Sequence, residues 1–335
     1  MKQIKIILAA IPRLAVFLLL TITGCASIVT GPVPLTTPAT AYIPSRDSSL
    51  SARFAPVFLI EDNHIPHNRI GSPIAWQDQQ GKIHISINPD QPAIYSQQFS
   101  FQTDQATYKN LVYRIHFQET PFGLCPFYLT SGKNVGLIVI VTLNEQEQPV
   151  LITSVHACGC YLAFTPTEFL PQAALPPDWN KNTQYIYGVL LPGLLRLDPV
   201  DGRQYPAITL AIRADTHRVT DIRRTDEVLL PEHYPTVPTP LLPMQALHEL
   251  TVDGGTTSFF ETAGPRQGYV KESLKPRERL LMSWWTLDWR IGEDKVYEPG
   301  DPDGITFYTS VKFWARNKSD MRNFPQFLRY WGWNL

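Results

Sequence analysis

The feature that most restricts the fold of this chain is one pair of long apolar runs, NVGLIVIVTL (134–143) and PVLITSVHACGCYLAF (149–164). Both runs are rich in β-branched and aromatic residues, and the polar segment Asn144 to Gln148 separates them. Such side chains favour strands, and a short polar segment between two runs is typical of a hairpin turn. We therefore predict a long antiparallel β-hairpin over residues 134–164.

The rest of the chain has the same character. Further β-branched or aromatic runs lie between turn residues, and strand and helix patterns do not alternate along the sequence. This pattern disfavours parallel α/β folds. We predict a mainly β protein, an antiparallel β-sandwich with a few peripheral helices. The further runs are residues 53–61, 82–89, 110–118, 207–214 and 304–315.

Prolines and aromatic residues suggest how the folded part is divided. Five of the 30 prolines lie in residues 231–243, which predicts an extended crossover or linker between a main β-domain (51–230) and a C-terminal part (244–335). In the C-terminal part, Leu280, Trp284, Leu287 and Ile291 recur at helical spacing and favour a helix.

Six of the eight tryptophans lie in the last 52 residues, and the chain ends in FPQFLRYWGWNL. Because tryptophan is usually well buried, we expect this aromatic-rich part to pack on the β-domain. The alternative is an aromatic platform for sugars, for which Trp331 and Trp333 are the candidate binding residues.

The first 25 residues have the parts of an export signal. Lys2 and Lys5 precede an apolar core at residues 14–22, and small residues lead to Cys25. The tetrad at 22–25, Ile-Thr-Gly-Cys, resembles the lipobox of bacterial lipoproteins. The resemblance implies a signal peptide at 1–24, cleavage before Cys25, and a diacylglycerol and palmitate on that cysteine. Ala26 after the cysteine implies transport to the outer membrane.

Residues 25–50 are predicted to form the lipidated cysteine and a flexible tether. The stretch is rich in Pro, Thr, Ser and Ala and has no helical or strand period. Cleavage before Cys25 removes three of the 29 basic side chains and none of the 30 acidic ones, which leaves a formal charge of about −4. Nucleic acid is therefore an unsuitable partner. The expected partners are the membrane, through the lipid, and an envelope protein or glycan.

The common catalytic signatures are absent from the sequence. It contains no G-x-S-x-G, H-E-x-x-H, S-x-x-K or dinucleotide fingerprint. We therefore expect no cofactor and a non-enzymatic, partner-binding function. The alternative is an extracytoplasmic hydrolase or metal-dependent protein with a His/Asp/Glu or Cys/His cluster, for which the candidate metal ligands are His64, His67, His116 and His156.

A basic hairpin at residues 213–224 leaves two interpretations open. Arg218 and Arg223 could meet an anionic headgroup or glycan, whereas a salt-bridged hairpin at a sheet edge explains the same residues without a ligand.

Three cysteines remain after Cys25: Cys125, Cys158 and Cys160. On a strand, His156, Cys158 and Cys160 would share one face. The Cα atoms of the two cysteines would then lie about 6.6 Å apart, and a disulfide between them would need a kink at Gly159. We therefore predict a disulfide from Cys125 to Cys158 or Cys160. The alternatives are a metal site that uses the three thiols and His156, and a reactive thiol with His156 as its base.

The leader gives the first testable prediction. Cys25→Ala removes the thiol that would receive the lipid, and we expect an unprocessed, unlipidated precursor that no longer partitions with the outer membrane. Metabolic labelling with a radioactive or clickable fatty acid measures this directly, with Cys125→Ser as the matched cysteine control. Normal acyl labelling of Cys25→Ala would contradict the lipoprotein assignment.

Overall fold

The computed structural model describes residues 38–123, 129–197, 206–298 and 305–335. The leader, Cys25 and Cys125 lie outside these ranges. The strands are β1 (Ala39–Pro44), β2 (Val57–Glu61), β3 (Ser72–Gln77), β4 (Ile83–Asn88), β5 (Ile94–Gln102), β6 (Thr107–Thr120), β7 (Gly132–Leu143), β8 (Pro149–His156), β9 (Leu162–Pro166), β10 (Thr183–Ile186), β11 (Val189–Pro192), β12 (Ala207–Ile212), β13 (Val219–Thr225), β14 (Thr236–Thr239), β15 (Leu241–Pro243), β16 (Leu250–Val252) and β17 (Gly255–Thr257).

Helices are few and short. The α-helices are α1 (Leu50–Arg53), α2 (Leu230–His233), α3 (Pro276–Thr286) and α4 (Phe324–Tyr330), with single-turn 3-10 helices between other elements. None of the helices in the described ranges combines the length and the apolar character needed to cross a bilayer.

The protein is mainly β and sandwich-like, as the sequence predicts. A five-stranded sheet has the order β13-β12-β2-β1-β14, a six-stranded sheet has the order β15-β5-β6-β7-β8-β9, and three two-stranded sheets flank them. The pairing differs from the prediction in one respect, because β1 with β14, β2 with β12 and β5 with β15 are parallel.

The six-stranded sheet is the middle of three layers. Along β6, Leu111 and Tyr113 face the five-stranded sheet and join its Phe58 and Leu210 in one apolar cluster. Val112, on the opposite face, joins a second cluster that contains the buried aromatic residues of the C-terminal part. A strand covered on both faces needs apolar residues at every position, which explains the unbroken apolar runs of β7 and β8.

The predicted hairpin is confirmed, since β7 and β8 pair antiparallel around the tip at 144–148. The prediction that the second strand continues to residue 164 is wrong. β8 ends at His156, residues 157–160 form a turn, and β9 returns beside β8. The turn forms because Gly159 adopts a φ of 87°, which is incompatible with an extended strand.

Two segments differ from their predicted assignment as a tether and as a linker. Residues 39–44, which the sequence assigns to the tether, form β1 between β2 and β14, where Ala41 and Tyr42 are buried. Residues 231–243 are extended only after the short helix α2, and their two strands β14 and β15 complete an edge of each large sheet. Proline is tolerated at sheet edges, which allows a proline-rich segment to be ordered there.

The C-terminal layer gives the second prediction. Trp333 is 1% exposed and packs against Phe164 and Trp179 with ring centroids 5.2 and 4.8 Å apart. Trp333→Ala should lower the free energy of unfolding by about 3–5 kcal/mol, because it leaves a cavity in the core. Trp331→Ala, at a partly exposed position, is the matched control and should cost about 1 kcal/mol or less. Equal losses in denaturant titrations would contradict the placement of Trp333 in the core.

Candidate functional site

The turn between β8 and β9 brings His156, Cys158 and Cys160 together. The N–H of Gly159 donates to the carbonyl oxygen of His156 at 2.7 Å. A Cβ at Gly159 would lie 2.2 Å from the carbonyl oxygen of Tyr308, so the turn needs glycine for space as well as for its positive φ. Gly159 therefore permits the turn that brings both cysteines close to His156.

One Nδ1 or Nε2 atom of His156 and the two Sγ atoms of Cys158 and Cys160 all lie within 4.8 Å of one another. The Sγ atom of Cys160 is 3.9 Å from His156 Nδ1. On the other side of the ring, Nε2 lies 3.1 Å from the carbonyl oxygen of His217. A carbonyl oxygen only accepts, so Nε2 carries a proton, and in the tautomer that has this as its single ring proton Nδ1 presents its lone pair to the thiols.

Cys158 and Cys160 are free thiols in the structure, Cys158 buried and Cys160 partly exposed. Neither of them forms a disulfide within the described residues, and their predicted partner Cys125 lies outside that part of the chain, so the pairing stays a prediction. The turn brings both sulfur atoms close to His156 and to each other. The pair could hold a metal ion with His156, or react as thiols.

Buried charged side chains surround the turn. Buried Glu293 is paired with Arg266 at 3.0 Å, and we call the remaining set the ionic cluster: Arg114, Lys275, Glu278, Asp294 and Lys295. Lys275 Nζ lies 3.4 Å from Asp294 Oδ1, and Asp294 Oδ2 accepts the backbone N–H of Gly136 at 2.7 Å. Lys295 Nζ donates to the carbonyl oxygen of Cys158 at 2.9 Å. The cluster thus contacts the backbone of the cysteine turn directly.

The surroundings change the acidity of the two thiols in opposite directions. Burial opposes ionisation of Cys158, but Cys160, the Lys275 ammonium and His156 together lower the pKa of Cys158 well below its ordinary value. The hydrogen bond to Cys158, together with burial, raises the pKa of Cys160 well above its ordinary value. Of the two thiols, Cys158 is therefore the stronger acid.

The charge count of the ionic cluster agrees with this assignment. It contains three basic side chains and two carboxylates, of which Glu278 is the weaker acid because burial raises its pKa to about 7. An unbalanced buried charge is costly. A thiolate at Cys158 supplies the missing negative charge.

A second feature lies on the helix α3. Its buried face is polar, with Glu278, Ser283 and Thr286, and its apolar face points to solvent. The sequence correctly predicts a helix here, but Leu280, Trp284 and Leu287 of the periodic pattern are exposed. The physical reason is that Glu278 belongs to the ionic cluster and turns this face inward.

We call the exposed apolar residues of this region the aromatic surface. It consists of Leu280, Leu281, Trp284, Trp285, Leu287, Trp289, Phe313 and Trp314. The guanidinium of Arg316 donates to the carbonyl oxygen of Thr286 and so holds the segment after Trp314 against the end of α3. Arg279 lies over the Trp289 ring at 5.7 Å.

The predicted histidine set does not converge. His64 is exposed, and His67 Nε2 contacts Asp215 Oδ1 at 2.8 Å. His116 is buried and its Nε2 accepts from Arg114 Nε at 2.9 Å. Within the described ranges, His156 with the two cysteines is the one group of three metal-ligating side chains close enough to share an ion.

The other predicted binding residues have internal partners. The Arg218 guanidinium lies 4.8 Å from the centre of the Tyr187 ring, and Arg223 Nη2 donates to the hydroxyl of Tyr234 at 3.1 Å. Trp331 Nε1 donates to a threonine hydroxyl. Trp333 is in the core, so the prediction that it binds a ligand is wrong.

Sequence reasoning missed the ionic cluster and misassigned the aromatic surface. The signal for the cluster was the run Glu293-Asp294-Lys295, but three adjacent charged residues usually mark a solvated loop.

Comparison with protein-family models, with curated proteins and with solved structures found no match.

The turn gives the third prediction. Gly159→Ala should destabilise the protein by about 2–4 kcal/mol, because the new Cβ adds a clash with Tyr308 to the strain of a positive φ. Gly254→Ala is the matched control, since Gly254 has a φ of 84° and nothing within 4 Å of the added Cβ. It should cost about 1 kcal/mol. Equal costs in denaturant titrations would show that the close approach to Tyr308 is absent.

Proposed function

We propose that the protein is a lipoprotein, anchored in the outer membrane through Cys25, that binds a protein partner of the cell envelope through the aromatic surface. The leader supports the anchor, because it contains the charged start, the apolar core and the lipobox-like tetrad in order. The observation that carries the binding function is the outward orientation of the apolar face of α3.

An exposed apolar helix face is costly for a protein that remains alone. A surface helix normally turns its apolar stripe to the core, whereas Leu280 is 75% and Trp284 69% exposed here. Contiguous exposed apolar patches mark interaction sites on soluble domains. Burial of these side chains against a partner recovers about 25 cal/mol for each Å² of apolar surface removed from water.

The shape of the surface favours a protein over a glycan. Leu280 and Trp284 follow the i, i+4 spacing by which a helix inserts into a groove of another protein, and Leu287, just past the end of α3, is exposed as well. Tryptophan and arginine are the residue types that dominate the binding energy of protein interfaces, and Arg279 stands beside Trp289. We infer an apolar groove on the partner that receives this ridge.

The test uses the full-length protein in its own envelope. A photo-crosslinking amino acid at position 284 should capture one discrete protein, and the same group at position 76 should not. The captured protein, identified by mass spectrometry and purified, should bind the full-length chain with an affinity that Trp284→Ala lowers by about 10-fold or more.

Trp76→Ala is the matched control, because Trp76 is an exposed tryptophan on β3, outside the aromatic surface. Circular dichroism confirms that both variants are folded. Equal affinity of the Trp284→Ala and Trp76→Ala variants would overturn the proposal. So would binding of the wild-type chain, dependent on Trp284, to purified envelope glycan or lipid vesicles in place of a protein.

A further inference from the structure

We propose that His156 Nδ1, Cys158 Sγ and Cys160 Sγ bind one soft metal ion, and that this ion is Cu(I). The proposal goes beyond partner binding by the aromatic surface and does not depend on it. It rests on the separation of the three atoms, the tautomer of the histidine, the fixed turn and the charges around it.

The distances fit ligands of one ion. Metal–thiolate and metal–imidazole bonds of about 2.3 and 2.0 Å, at an angle of about 120°, place sulfur and nitrogen about 3.7 Å apart. Cys160 Sγ and His156 Nδ1 are 3.9 Å apart, and Cys158 Sγ completes the group within 4.8 Å. A single ion bound by all three atoms requires the widest separation, 4.8 Å, to close by about 1 Å.

The histidine is prepared for a metal. Metal-binding histidines commonly donate their second ring N–H to a carbonyl oxygen, which fixes the ring and its tautomer. His156 has this contact, through Nε2 to the carbonyl oxygen of His217 at 3.1 Å. In the tautomer that this contact selects, Nδ1 offers its lone pair on the side of the thiols.

The turn is held in place by contacts that need no ion. The carbonyl oxygen of Ala157 accepts from the N–H of Lys295 at 2.9 Å, and that of Cys158 accepts from Lys295 Nζ at 2.9 Å. The Tyr187 hydroxyl donates to the carbonyl oxygen of Cys160 at 2.8 Å. A turn fixed by these three hydrogen bonds from two residues loses little conformational freedom on binding. Cys160 is partly exposed and gives the ion a route from solvent.

The charge around the site favours copper over zinc. Thiolates select Cu(I) and Zn(II) among common metals, and the described residues provide three ligands, two of them thiols. Two thiolates, a neutral histidine and Cu(I) carry a net charge of −1, while the same ligands with Zn(II) are neutral. The ionic cluster has one more basic side chain than carboxylates, so the anionic copper site is the one that it balances.

The experiment measures metal binding by the purified, reduced full-length protein under anaerobic conditions. Titration against a chromophoric Cu(I) chelator should show one tightly bound Cu(I), and the bound ion should protect Cys158 and Cys160 from alkylation while Cys125 reacts. Cys158→Ser, Cys160→Ser and His156→Ala should each weaken binding by about 100-fold or more. Cys125→Ser and His64→Ala are the matched controls and should bind as the wild type does.

Thermal unfolding of the metal-free proteins separates loss of the site from loss of the fold. If Cys158→Ser does not fold, Cys160→Ser, at a partly exposed position, carries the test. Absence of stoichiometric Cu(I), or equal loss in the Cys125→Ser control, overturns the site. A parallel titration with Zn(II) and a zinc indicator tests the metal, and retention of zinc in preference to Cu(I) overturns the choice of copper.

Discussion

The buried contact between Asp294 and Lys275 determines how the C-terminal layer lies on the six-stranded sheet. One oxygen of Asp294 accepts the N–H of Gly136 in β7, and the other faces the ammonium of Lys275 immediately before α3. A buried charge without its partner is costly, so the position of α3 follows from this contact and not from apolar packing. The apolar side chains of the helix are left on the outside.

The same constraint connects the two functional regions. Glu278 points inward to the ionic cluster. Its carboxyl group packs against Gly292, where an added Cβ would lie 2.3 Å from Glu278 Oε2. Lys295 holds the cysteine turn through the carbonyl oxygen of Cys158. A single set of buried charges therefore presents the aromatic surface on one side of α3 and fixes the thiols and His156 on the other.

The sequence predicts those features that depend on neighbours along the chain. The hairpin of β7 and β8 follows from two apolar runs, and the existence of α3 follows from its spacing. The orientation of α3 could not be predicted, because it depends on Asp294 meeting Gly136, 158 residues away. Alternation along a strand suggested that His156, Cys158 and Cys160 lie together, but a turn produces that proximity. The strand β1 has too little apolar pattern to be distinguished from a tether in the sequence.

The position of β1 has a consequence for how the chain folds. Ala41 of β1 pairs with Thr236 of β14, so some 195 residues separate the two partners. In a chain exported by the proposed leader, β1 crosses the membrane first, and β14 follows only after the residues between them have crossed. During that interval one edge of β1 has no strand to pair with, and such edges invite association with other chains. The large sequence separation of these partners predicts slow folding, with a need for an extracytoplasmic chaperone that covers the N-terminal half until β14 has crossed the membrane.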